Sequence, residues 1–247
     1  MAIFEAIQAF QTTLPILAAQ APTAQAVAAQ AAQAIQAVPS ASIAFMGLSA
    51  AISAGAPVAL FLALRKRFGL KAAPLLTGAG AFILFALILE NFLHELVLRP
   101  AADGSIALRA ERPALYVLYA ALAAGVFEET ARFLSFKLLK KSYGGLGAGL
   151  AYGIGHGGIE SVLLVCLPMS SNIIASAMAN AGDYGALGDM PQLPELFAAL
   201  SSIEPLQFLL GGLERLPAIA IQISLSMLVW LAASNPGKWL LYPAAIA

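Results

Sequence analysis

From residue 41 onward the chain alternates long apolar runs with short polar breaks. Runs at 41–64, 74–98, 114–137, 146–168 and 206–233 each approach or exceed the ~20 residues that a helix needs to cross a hydrocarbon core. The pattern predicts five transmembrane helices. A sixth apolar stretch begins at Trp239 and stops at Ala247, too short to cross, so the tail is expected to be either interfacial or a sixth span cut short. Ahead of the spans, Phe4, Ile7, Phe10 and Leu14 recur at helical spacing in an Ala/Gln-rich preface broken by Pro15 and Pro22. Residues 1–40 are therefore expected to form an N-terminal interfacial helix without chemistry, and 41–247 the transmembrane domain.

Composition removes the soluble alternatives. The chain is 60% hydrophobic and 11% charged, with mean hydropathy +0.84, whereas soluble domains carry about 25% charged residues. So large an apolar surplus cannot be hidden in one soluble core. The fold class is all-α, a polytopic membrane helix bundle of five to six spans, and the lipid bilayer is the protein's first partner. Net charge is zero, so no basic field recruits nucleic acid. The single Cys166 excludes an internal disulfide and a cysteine metal cage. The first 20 residues hold Glu5 and no Lys or Arg, so the charged start of a signal peptide is missing.

Orientation follows from the basic residues. Arg65, Lys66, Arg67, Lys71, Lys137, Lys140, Lys141 and Lys238 fall on one side of the spans, and Arg99, Arg109 and Arg112 on the other. The richer side is expected to be cytoplasmic, with the N-terminus outside, in the plasma (inner) membrane. The segment 169–204 then reads as an external loop containing short helices.

Against this apolar background, charges inside spans are the chemistry to explain, since each costs at least about 2.5–3.5 kcal/mol at the bilayer centre. Glu128 and Arg132 are i and i+4, so they share a helical face and can pair, while Glu129 points about 100° away. Environment can then separate the two carboxylates into different acid/base roles. His156 and Glu160, in GIGHGGIES, are likewise i and i+4, surrounded by glycines that permit close helix approach. Glu214 and Arg215 precede Pro217 and Gln222 in the last span. Pro217 predicts a kink there, and Arg215 is placed to neutralise an inward carboxylate. Glu90, His94 and Glu95, towards the outer end of the second span, suggest packing or the lining of a mouth.

Depth makes the first three groups compatible. At ~1.5 Å per residue, Glu128 lies roughly 20 Å from the outer start of its span. His156 lies roughly 15 Å from the inner start of the next, and Glu214 roughly 12 Å from the outer start of the last. In a core ~30 Å thick they meet in one polar layer.

EExxR in one span, HGGxE in the next and an ER-bearing span after them resemble the YhfC family of intramembrane proteases, related to the CAAX-protease and bacteriocin-processing (CPBP) superfamily and to PrsW-type proteases. The resemblance covers about residues 41–247. It implies a glutamate-dependent hydrolytic site acting on a membrane-embedded or lipidated peptide. Glu128 would be the base that activates water, Glu129 and Arg132 would shape and neutralise the site, and His156 would orient the water or stabilise the oxyanion, with Glu160 setting its tautomer. Glu214, Arg215 and Gln222 would support them. Two departures stand out: Gln222 occupies the place of a His common in the fifth span, and no H-x-x-x-N/D element precedes Ala247. Both raise the expectation of an impaired, inactive or truncated homologue.

The leading expectation is thus a glutamic-type peptidase with no cofactor. The alternative is a zinc-dependent protease with Glu128, His156 and Glu160 as ligands. A third reading is a transporter or scaffold whose buried charges line a path, with Pro217 breaking a helix at the midplane.

Overall fold

A computed structural model describes residues 37–101, 104–182 and 193–246. The expected helix in the N-terminal preface falls almost wholly on residues 1–36, outside those described. The described elements are all helical. Helix α1 spans Ser40–Phe68, α2 Ala72–Leu98, α3 Ala107–Glu111, α4 Pro113–Leu139, α5 Leu146–Ala181, α6 Leu193–Ser202, α7 Pro205–Ser234 and α8 Leu241–Ile246. Of these, α1, α2, α4, α5 and α7 are long and apolar enough to span a bilayer. The protein is a multi-pass membrane helix bundle. Outward residues such as Val58, Leu62, Leu118 and Leu138 are exposed, as lipid-facing side chains must be where no water drives them inward.

The five predicted spans coincide with these helices, but α5 does not end at residue 168. It continues to Ala181, so the first part of the expected external loop is helix. Pro168 is accommodated because the preceding turn, Val162–Cys166, is a π-helix, whose wider winding relieves the clash between a proline ring and the carbonyl four residues back. With that obstacle met, nothing stops the helix until Gly182, which takes a left-handed φ of 73° as its C-cap. A second π segment, Phe82–Glu90, lies in α2. Pro217 does not interrupt α7, which runs unbroken from Pro205 to Ser234. The helix break at Pro217 that the transporter reading added to its buried charges is not found.

Helix α5 is the hub, packed against the start of α2, against α7 and against α1. Its glycines make this possible. A Cβ on Gly155 would sit 1.9 Å from the Leu75 carbonyl oxygen, and one on Gly157 would sit 3.0 Å from Gln222 Cβ. No side chain fits at Gly155 and one at Gly157 would press on Gln222, so the backbones of α2 and α7 come close enough to bring their polar groups to His156 and Glu160.

The tail packs on the bundle. Helix α8 folds back along α4, where Tyr242 Oη and Thr130 Oγ1 lie 2.8 Å apart and the Tyr242 and Phe133 rings stack at 4.7 Å. Ile246 reaches Gly125, whose missing side chain leaves room for the Ile246 carbonyl.

Candidate active site

Helix α4 contributes Glu128, Glu129 and Arg132, all buried. Arg132 has no exposed surface. One of its terminal nitrogens donates to Glu129 Oε1, and the other donates to Glu128 Oε2 at 3.2 Å and to Gln222 Oε1. Its Nε donates to Ser226 Oγ at 3.2 Å. The expected divergence of the two glutamates therefore holds only for part of each side chain. A residue three positions before Arg132 shares its face almost as well as one four before, so Glu129 also pairs with the guanidinium. Its other oxygen, Oε2, is buried with no hydrogen-bond partner.

Helix α5 contributes His156 and Glu160, and here the expected pairing is corrected. His156 Nε2 lies 3.1 Å from Glu128 Oε2, across to α4, and Nδ1 has no hydrogen-bond partner. Glu160 is instead drawn to α7: Arg215 donates to its Oε1 at 3.2 Å, and the Gln222 amide donates to its Oε2 at 2.7 Å. A guanidinium offers a buried carboxylate more than a neutral imidazole does, so α7 wins the contact. The imidazole is flanked by Phe82, edge-on at 5.1 Å between ring centres, and by Tyr152, near-parallel at 6.0 Å. Phe82 opens the π segment of α2, which places that irregular winding directly against the site.

Helix α7 contributes Arg215, Gln222 and Ser226. Glu214 pairs with Arg215 at 2.7 Å, but its side chain is 60% exposed at the bundle surface, so it belongs to the rim. Gln222 is the junction of the whole cluster. Its Nε2 donates to Glu128 Oε2 at 3.2 Å as well as to Glu160, while its Oε1 accepts from Arg132. Ser226 and Tyr152 were missed by the sequence reading. Ser226 could have been found, because it stands four residues after Gln222 on the same face. Glu90 and His94 form a separate cluster: His94 Nε2 meets Glu90 Oε1 at 3.3 Å, and Nδ1 meets Tyr119 Oη at 3.1 Å, tying α2 to α4.

Three comparisons bear on this arrangement. A family model described as YhfC intramembrane metalloprotease matches residues 48–247. A curated relative, the uncharacterized membrane protein YhfC of Bacillus subtilis (strain 168), is 34% identical over 198 residues, covering 78% of this chain and 76% of its own length. No solved structure matches. The family description overturns the expectation of no cofactor, because a metalloprotease requires a metal ion. The glutamic type gains no support from it, while intramembrane proteolysis does.

The residues fit such an ion in kind and in charge. Among the described residues no three His, Cys, Asp or Glu side chains close round one point. Glu128 and Glu160 do, however, each aim an oxygen at the same amide nitrogen of Gln222, and His156 Nε2 meets that same Glu128 oxygen. This donor set, one imidazole and two carboxylates, suits zinc. The buried carboxylates Glu128, Glu129 and Glu160 have Arg132 and Arg215 as their cations, an excess of one negative charge when all are ionised, which a bound cation would offset.

Proposed function

Because this chain belongs to the YhfC intramembrane metalloprotease family, we propose that it is a zinc-dependent intramembrane peptidase whose metal is held by Glu128, His156 and Glu160. The observation that supports the reading is the gathering of the Glu128 and Glu160 oxygens on one amide nitrogen beside His156 Nε2. Zinc bound there would polarise the scissile carbonyl and lower the pKa of a bound water.

The chain's own residues then divide the remaining work. With Glu128 a ligand, the base is Glu129, whose Oε1 is fixed by Arg132 and whose Oε2 is without a partner. Glu129 Oε2 accepts the proton of the attacking water and delivers it to the leaving amine. Arg132 holds the adjacent carboxylates side by side, and Arg215 anchors Glu160 from α7. Phe82 and Tyr152 shield the imidazole from bulk water. The substrate is a membrane-embedded or lipidated peptide that reaches this depth of the bilayer.

The test uses the purified full chain in liposomes with a pooled library of transmembrane and lipidated peptides. About one zinc per chain is expected, with cleavage lost to a chelator and restored by zinc. Glu128→Gln and His156→Ala should lose metal and cleavage together. Glu129→Gln should keep the metal and lose about 10²–10⁴-fold in rate, the contribution of a positioned acid–base group. Full-rate cleavage by a zinc-free preparation would overturn the reading.

A further inference from the structure

We infer that Gln222 is an internal competitor for the metal: its amide nitrogen holds the place of the cation in the metal-free protein, and its withdrawal sets how tightly zinc binds. The inference rests on the zinc reading above and goes beyond it, since it assigns the affinity of the site to a residue that is not one of the ligands.

Three observations carry it. First, the amide satisfies the same acceptors that a cation would take. Nε2 donates to Glu128 Oε2 at 3.2 Å and to Glu160 Oε2 at 2.7 Å, and these are carboxylates from two different helices. A carboxylamide NH2 carries partial positive charge and two N–H groups, so it can bridge two carboxylates much as a small cation does, though far more weakly. Second, the side chain is held in that pose from both ends. Arg132 donates to Oε1, which directs the NH2 end towards the carboxylates, and Gly157 leaves room for Gln222 Cβ and Cγ, which would lie 3.0 and 3.2 Å from a Cβ there. Third, the residue is buried, 8% exposed, so water does not readily replace the amide once it is gone.

Zinc and the amide therefore exclude each other at the carboxylates. Binding the ion breaks both Nε2 hydrogen bonds and turns the NH2 group away, while Arg132 keeps its contacts with Glu128 and Glu129. Every interaction of Nε2 with the carboxylates stabilises only the metal-free form. Removing the amide costs both forms the Oε1 acceptor of Arg132 but costs only the metal-free form the two Nε2 hydrogen bonds, so affinity rises.

Zinc affinity of the full chain in detergent, measured by competition with a chromophoric chelator, tests this. Gln222→Met keeps the volume and removes the Nε2 donors together with the Oε1 acceptor of Arg132. It should bind zinc about 10- to 100-fold more tightly than wild type, the range set by losing hydrogen bonds to charged groups. Its metal-free melting temperature should be lower, and the rise on adding zinc larger. Gln222→Ala and Gln222→Asn are measured beside it, so that one poorly folding variant does not decide the result. Equal affinity in the folded variants would overturn the inference while leaving the metal site standing. Weaker affinity would do the same and would make Gln222 a ligand. If neither wild type nor any variant binds zinc, the metal reading itself fails and the inference falls with it.

Discussion

Arg132 is buried without a trace of exposed surface and serves Glu128, Glu129, Gln222 and Ser226 at once. Removing it leaves two adjacent buried carboxylates without their cation. Breaking a buried ion pair from one side costs about 3–5 kcal/mol, so Arg132→Met should lower the melting temperature in detergent far more than Lys141→Met, a change at an exposed position. If excess negative charge is what a divalent cation balances, added zinc should recover part of the loss. A variant that melts like wild type would mean that the glutamates reach water or lie protonated without Arg132. At this scale the sequence was half legible. Spacing gave the Glu128–Arg132 pair, because both residues lie on one helix whose geometry is fixed. It could not give Gln222 as the junction, nor the turn of Glu160 away from His156. Those contacts depend on the register of α7 against α5, which no local pattern encodes.

The register is set by helices, and chiefly by the glycines of α5. Gly155 lies so close to α2 that a side chain would overlap the Leu75 carbonyl, whereas a Cβ on Gly80 meets nothing within 4 Å. Gly155→Val should therefore push α2 off α5, at or beyond the upper end of the ~1–3 kcal/mol typical of overpacking, and should displace Phe82 from His156. Gly80→Ala should be near neutral. Melting temperature and zinc affinity of the two variants check both statements together, since displacing Phe82 changes the surroundings of a ligand as well as the fold. The five spans were legible because bilayer thickness imposes a length and an apolar composition on each. Legible too was the role of small residues in letting helices approach. The π segments of α2 and α5 were not. They arise where a helix must yield to a proline ring, at Pro168, or run irregularly beside the site, at Phe82–Glu90, and neither leaves a periodicity to read. The fold-back of α8 on α4 was hidden for a related reason. Its determinants, Thr130 and Gly125, look like ordinary positions of a span until a partner is found for them.

At the scale of the whole molecule, orientation follows from charge and is reinforced by packing. The C-terminal ends of α1, α4 and α7 gather at one end of the bundle: Lys140 Nζ donates to the Ala233 carbonyl at 2.8 Å, and Gly147 packs on the Phe68 carbonyl. That end carries Arg65, Lys66, Arg67, Lys71, Lys137, Lys140, Lys141 and Lys238, while Arg99, Arg109 and Arg112 lie at the other. By the tendency of basic residues to be retained inside, the first end is expected to face the cytoplasm. In a Cys166→Ser background, Ser105→Cys should react with a membrane-impermeant maleimide added to intact cells. Ser142→Cys, in the loop after α4, should react only after permeabilisation. Both positions are exposed, so a silent residue reports sidedness rather than burial. The reverse pattern would invert the bundle and with it the polar column that runs from Glu214 through Arg215, Glu160 and Gln222 to Arg132. In the orientation argued here, the exposed Glu214 end of that column lies on the outer half of the membrane and the sealed Arg132 end on the inner half. A zinc ion or a peptide following the polar groups would then meet Glu160 before Glu128, so a chelator too polar to cross the bilayer should strip zinc from sealed, outside-out vesicles faster than from inverted ones.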